Sequence, residues 1–169
     1  AAKTAMKSRG ACYLKRDLRE LPQRAIKKFS VTTSNTPPQR GVVWCGWNAG
    51  GNLLAARDAV QPQCIWIWDA FQAQLVSLLV QLDIVTCARW RPLVSHASRD
   101  DSLAVDDLSA LAYCCGSPRI YFWSPDAGPT WADIPVAGSG TSIVANSLQW
   151  SDDGNRLLVQ GNEGLCSVS

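Results

Sequence analysis

The sequence predicts an all-β fold: a partial β-propeller of about two to three four-stranded blades behind a short basic, partly helical N-terminal arm. Three observations lead there. Five of the eight Trp residues close short apolar stretches, and they do so in a recurring order. The recurrence is close to the 40–45 residues that one propeller blade occupies. Charge also divides the chain in two. Residues 1–40 hold ten Lys/Arg against Asp17 and Glu20, a net of +8, whereas residues 41–169 hold six Arg and twelve acids, a net of −6.

The arm comes first. Leu14, Leu18, Leu21, Ala25 and Phe29 recur at helical spacing beside Lys15, Arg16, Arg19, Arg24, Lys27 and Lys28. Pro22 interrupts that stripe, so two short helices or one helix starting near Pro22 are expected. Ser30 to Pro38 reads as a polar linker. Residues 1–36 thus form a basic amphipathic arm and linker, and residues 37–169 a blade-forming body.

In the body, three Trp residues end an apolar strand just before turn residues: Trp47, Trp90 and Trp150. Two more, Trp68 and Trp123, end the alternating runs Ile65-Trp66-Ile67-Trp68-Asp69 and Ile120-Tyr121-Phe122-Trp123-Ser124. Gly-Asn pairs at Gly51-Asn52 and Gly154-Asn155 supply the positive φ of tight turns before Leu-rich strands. Units are therefore expected at about 42–81, 84–137 and 143–169. Trp47 and Trp90 lie 43 residues apart, Trp90 and Trp150 60 apart. The surplus falls on an inserted loop at 92–107 that carries Asp100, Asp101, Asp106 and Asp107. The third unit lacks a fourth strand, so a fragment of a longer propeller with association-prone open edges is expected.

Site chemistry is sparse. The single His, His96, sits in the insertion with no oriented nucleophile near it in sequence. Cys114 and Cys115 are adjacent and point to opposite faces of a strand, so they do not share a metal. Cys45, Cys64, Cys87 and Cys166 read as buried structural thiols, and seven irregularly spaced Cys fit reduced thiols better than a disulfide framework. The insertion acids lack the spacing of a calcium loop. No catalytic, cofactor or metal site is expected, and no apolar run is long enough to span a membrane. Trp44, Arg57, Arg91, Arg119 and Trp131 stand outside the repeating scaffold positions and are the candidate partner-binding residues.

The run Ile65-Trp66-Ile67-Trp68-Asp69 is a Trp-Asp repeat ending and resembles WD40-repeat proteins. Gly-His dipeptides are absent and Trp68-Asp69 is the single Trp-Asp pair, so the hydrogen-bonded tetrad of a full WD repeat does not form in its usual way. Within that class the chain resembles the C-terminal blades of the Wrap-type centrosomal and spindle-pole WD-repeat family. Pro37-Pro38, Gly41, Asn52 to Arg57, Ile65 to Asp69, Leu78 to Gln81, Ile84-Val85, Cys114 to Ser117 and Ile120 to Pro125 carry the resemblance. It implies structural roles for Trp47, Trp68, Asp69, Trp90, Trp123 and Trp150. It also implies a non-enzymatic scaffold with a coiled-coil centrosomal partner, in the cytoplasm at the centrosome or spindle pole, acting in microtubule anchoring and cilium assembly. The alternative class is a nucleic-acid-associated factor using the basic arm. That alternative predicts RNA or DNA binding that falls steeply with salt and disappears when residues 1–36 are deleted. A filter-binding series in salt checks it, and salt-insensitive or absent binding removes it.

Overall fold

The computed structural model describes residues 11–14, 41–92, 109–134, 143–162 and 164–168. These form three antiparallel sheets. The first has the order β1(Ala11–Leu14), β5(Gln74–Gln81), β4(Cys64–Asp69), β3(Leu53–Asp58), β2(Val42–Trp47). The second runs β6(Cys87–Trp90), β7(Leu111–Cys114), β8(Arg119–Ser124), β9(Gly128–Asp133), and the third β10(Ala145–Trp150), β11(Leu157–Gly161), β12(Leu165–Val168). Each sheet after β1 is a meander, its strands paired in chain order as in propeller blades. We call them blades 1, 2 and 3.

Strand alternation sorts side chains to the two faces of each blade. Leu53, Ala55, Ile65, Ile67 and Leu79 of blade 1 meet Leu111, Tyr113, Tyr121 and Trp123 of blade 2 in one buried cluster. The opposite face of blade 2 presents Ala112, Cys114 and Ile120 to Ala145, Leu148, Leu157 and Val159 of blade 3. Each fully buried Leu, Ile or Val adds about 1.5–3 kcal/mol to this stacking. The neighbours Cys114 and Cys115 do face opposite ways, one into each cluster.

The turns between the first two strands of blades 1 and 3 repeat in detail. Asn48 N–H donates to the Leu53 carbonyl, and Gly51 N–H to that of Asn48. Ser151 N–H and Gly154 N–H make the corresponding bonds to Arg156 and Ser151. Gly51 and Gly154 sit at φ 69° and 64°, where a side chain is strained. Asn48 is buried; its Oδ1 accepts from the Asn52 and Leu53 N–H groups, and its Nδ2 donates to Ser109 Oγ of blade 2 at 3.0 Å.

Two expectations meet a different outcome, and others fall on residues outside those described. Leu14 opens the helical stripe in the sequence, yet it ends strand β1, whose backbone pairs with the free edge of β5. The rest of the stripe, the linker and the 92–107 insertion with His96 from residue 93 on lie outside the described residues. Cys45 is exposed rather than buried, because it lies on the innermost strand of blade 1 on the side that no other described blade covers.

Burial pushes the thiols of Cys64 and Cys114 up to about 11 from an ordinary value near 9. In this window the unfolded chain releases thiol protons that the folded chain retains, so stability falls as pH rises. Denaturant midpoints are expected to be level from pH 7 to 8.5 and to drop between pH 9 and 11. A flat profile through pH 11 would contradict the burial of these thiols.

Candidate interaction surface

The β8–β9 hairpin turns on Ser124 to Gly128 and brings its two ends into register. Arg119 lies opposite Asp133, and Tyr121 opposite Trp131. Arg119 Nε–H donates to Asp133 Oδ1 at 2.6 Å, and the guanidinium carbon lies 5.7 Å from the centre of the Trp131 ring. The bond to Asp133 raises the Arg119 pKa further, so the cation is permanent. Trp131 remains 42% exposed. A planar cation, a carboxylate and an indole thus share one solvent-facing strip on a rigid hairpin.

Beside the strip opens a cleft of about 270 Å³ at the seam between blades 1 and 2. Gln81 and Asp83 line it from blade 1, and Ser117, Arg119, Tyr121 and Asp133 from blade 2. Its floor is held rigid: Tyr113 and Tyr121 stack at 5.3 Å, and Gln81 Nε2–H donates to Tyr113 Oη at 2.8 Å. Burial pushes the Tyr121 phenol and the nearby Cys115 thiol up, so both stay protonated at neutral pH. A protonated buried thiol is a poor nucleophile. The lining, a cation with two carboxylates beside aromatic rings, offers both hydrogen-bond donors and acceptors.

The other three candidate partner-binding residues sit between blades. Trp44 is half-buried and packs on the cluster between blades 1 and 2. Arg57 donates through Nη1 to the Val85 carbonyl, and desolvation lowers its pKa. Arg91 donates through Nε to the Gly154 carbonyl at 2.7 Å and through Nη2 to Asn155 Oδ1 at 3.3 Å, joining blade 2 to a turn of blade 3. Asp83, Tyr121 and Asp133 were not among the candidates. The symmetry of the hairpin about its turn, with Arg119 and Asp133 at matching distances, is the sequence signal for Asp133; Asp83 has none, because it comes from another blade.

The repeating Trp positions divide as well. Trp90 Nε1–H donates to the Gly46 carbonyl at 2.8 Å, and Trp150 Nε1–H to the Arg89 carbonyl at 3.2 Å. Trp123 is 4% exposed and meets Trp90 edge-on at 6.1 Å. Asp69 Oδ1 accepts from the N–H groups of Phe71 and Gln72 and so holds the β4–β5 turn. Trp47 and Trp68 lie on the side of blade 1 that no other described blade covers.

No protein-family model matches the chain. Mouse "WD repeat-containing protein WRAP73" is 27% identical over 142 residues, which cover 84% of this chain and 27% of the relative. The chain therefore spans about a quarter of that relative's length. Among solved structures, the β-propeller domain of Myceliophteria thermophila Cps50 (Swd1) aligns with a TM-score of 0.55 at 13% identity, over 75% of this chain and 38% of that one. That likeness extends to the fold.

Surface and scaffold positions separate energetically. Arg119→Ala is expected to change unfolding stability by no more than about 0.5 kcal/mol, since its ion pair is solvent-exposed. Trp123→Ala is expected to cost about 3–5 kcal/mol through the cavity it leaves. Urea unfolding of the two variants checks the contrast, and equal losses would contradict the placement of both residues.

Proposed function

We propose that this chain, a WD-repeat protein with a partial β-propeller fold, is a non-enzymatic protein-interaction scaffold working at the centrosome or spindle pole, in microtubule anchoring and cilium assembly. The observation that carries the scaffold reading is the Arg119–Trp131–Asp133 strip beside the cleft between blades. Indole and guanidinium groups are favoured anchors at protein interfaces because they bury much area at low entropic cost. Here Trp131 is exposed and Arg119 partly so, and the hairpin sets them side by side. The centrosomal assignment is supported by the Wrap-type resemblance and by the 27% identity to WRAP73. The occupant of the strip on this reading is a segment of a coiled-coil protein, its acidic side chains meeting Arg119 and its apolar ones Trp131. Among the described residues, no helix is long and apolar enough to cross a membrane.

Affinity capture with the full chain is expected to recover a coiled-coil centrosomal protein. Capture should persist when residues 1–36 are deleted. It should fall by roughly tenfold or more in an Arg119→Ala/Trp131→Ala double variant, the loss typical of two interface anchors. Undiminished capture by the double variant sinks the assignment of the surface. Recovery without centrosomal proteins sinks the location.

A further inference from the structure

We propose that the cleft between blades 1 and 2 takes an arginine side chain of a partner segment, with the Asp83 carboxylate as its counter-ion and Leu82 and Ile84 as apolar shoulders for the residues beside that arginine. This assignment rests on the scaffold reading and adds the chemistry of the residue that enters the cleft.

The connector from blade 1 to blade 2 is pinned at both ends. Gln81 N–H donates to the Gln63 carbonyl at 3.0 Å, and Val85 N–H to the Pro62 carbonyl at 3.0 Å. Gln81 and Val85 are both buried. The three residues between them project instead. Leu82 is 71% and Ile84 47% exposed, and Asp83 stands exposed between the two. Asp83 lines the cleft, so its two apolar neighbours lie beside the rim. Apolar side chains on a fixed backbone are covered by a partner at a low ordering cost. Both walls of the cleft come from residues 81–133, within the described blades.

The charges of the cleft do not balance. Its ionic lining is Asp83, Asp133 and Arg119, and Arg119 is already paired with Asp133 at 2.6 Å. Among the described residues, no hydrogen bond or ion pair reaches Asp83. Its field acts on the Cys115 thiol, where it adds to burial and to Cys114 in keeping the proton on. One negative charge is left over, in a body whose net charge is −6 over residues 41–169, so the cleft attracts a cation. Size and shape choose which cation. At 270 Å³ the cleft is smaller than the roughly 300–1,000 Å³ of sites that enclose a small molecule, and it suits a single side chain. The Tyr121 ring, stacked on Tyr113, forms part of its lining. A guanidinium has a donor fork that matches a carboxylate and a flat face that lies on aromatic rings; an ammonium has neither.

The test titrates the full chain with acetyl-Leu-Arg-Leu-amide and with its Lys and Glu counterparts, following the Trp131 indole N–H by NMR. The Arg peptide is expected to shift that signal saturably, with the Lys peptide weaker and the Glu peptide at least about threefold weaker. Asp83→Asn should weaken the Arg peptide about threefold, the scale of one exposed ion pair, and Asp83→Arg should reverse the preference toward Glu. Asp83 is exposed, so both variants are expected to fold, which circular dichroism verifies; the wild-type preference is read without either. Equal binding of the Arg and Glu peptides, or no response to any peptide, overturns the proposal. An Asp83→Asn variant that binds the Arg peptide undiminished overturns it too, and a Lys peptide equal to the Arg peptide overturns the choice of arginine. Partner capture keeps the two readings apart. Capture lost in Arg119→Ala/Trp131→Ala but intact in Asp83→Arg leaves the scaffold surface standing and removes the arginine from the cleft.

Discussion

Everything in this structure depends on one sheet packing face to face against the next. A lone four-stranded meander has two sides and can bury neither by itself. Here the side chains of successive strand residues go alternately forward and backward, so a blade such as the second is buried on both faces. Its strand β7 is buried at every position for that reason. The Trp indoles then set the register of the stack. Each bond to a neighbouring carbonyl contributes only about 1 kcal/mol net, but it holds one blade against the next at a single spacing.

That constraint explains where the cations went. Arg57 and Arg91 stand at strand ends, where a surface role is the ordinary expectation. Both donate to backbone carbonyls instead, Arg57 to Val85 in the connector leading into blade 2 and Arg91 to Gly154 in a turn of blade 3. Guanidinium groups suit such seams because their fork of donors can satisfy carbonyls left over at sheet ends, and their charge persists despite desolvation. Arg119 differs because Asp133 lies directly across the hairpin from it, so its guanidinium pairs with that carboxylate at the rim of the cleft between blades 1 and 2. The same residue type thus clasps neighbouring backbone or pairs within its own hairpin according to what its strand end faces.

The identical motif likewise behaves differently in different blades. Trp68 and Trp123 end equivalent strands and point the same way relative to their own sheets. Trp123 meets blade 1 and is buried; Trp68 has no described blade before it and stays partly exposed. Cys45 shares that side of blade 1 and is exposed for the same reason. Exposure at these positions is a property of place in the stack, and no local pattern encodes it.

The sequence alone determined the all-β class, the strand-ending Trp positions and the Gly turns, because these follow from period-two alternation and from positive φ, both local properties. It also separated a basic N-terminal stretch from an acidic body. What only tertiary structure decided is which face of each strand meets a neighbour, and hence which Trp and Arg remain free. The cleft that joins Asp83 of one blade to Arg119 and Asp133 of the next exists only once two sheets have stacked. The pairing of Ala11–Leu14 with β5 was equally out of reach, since a free sheet edge some 65 residues away outweighed a local helical stripe. Local sequence specifies the blade; long-range contact specifies what each blade shows.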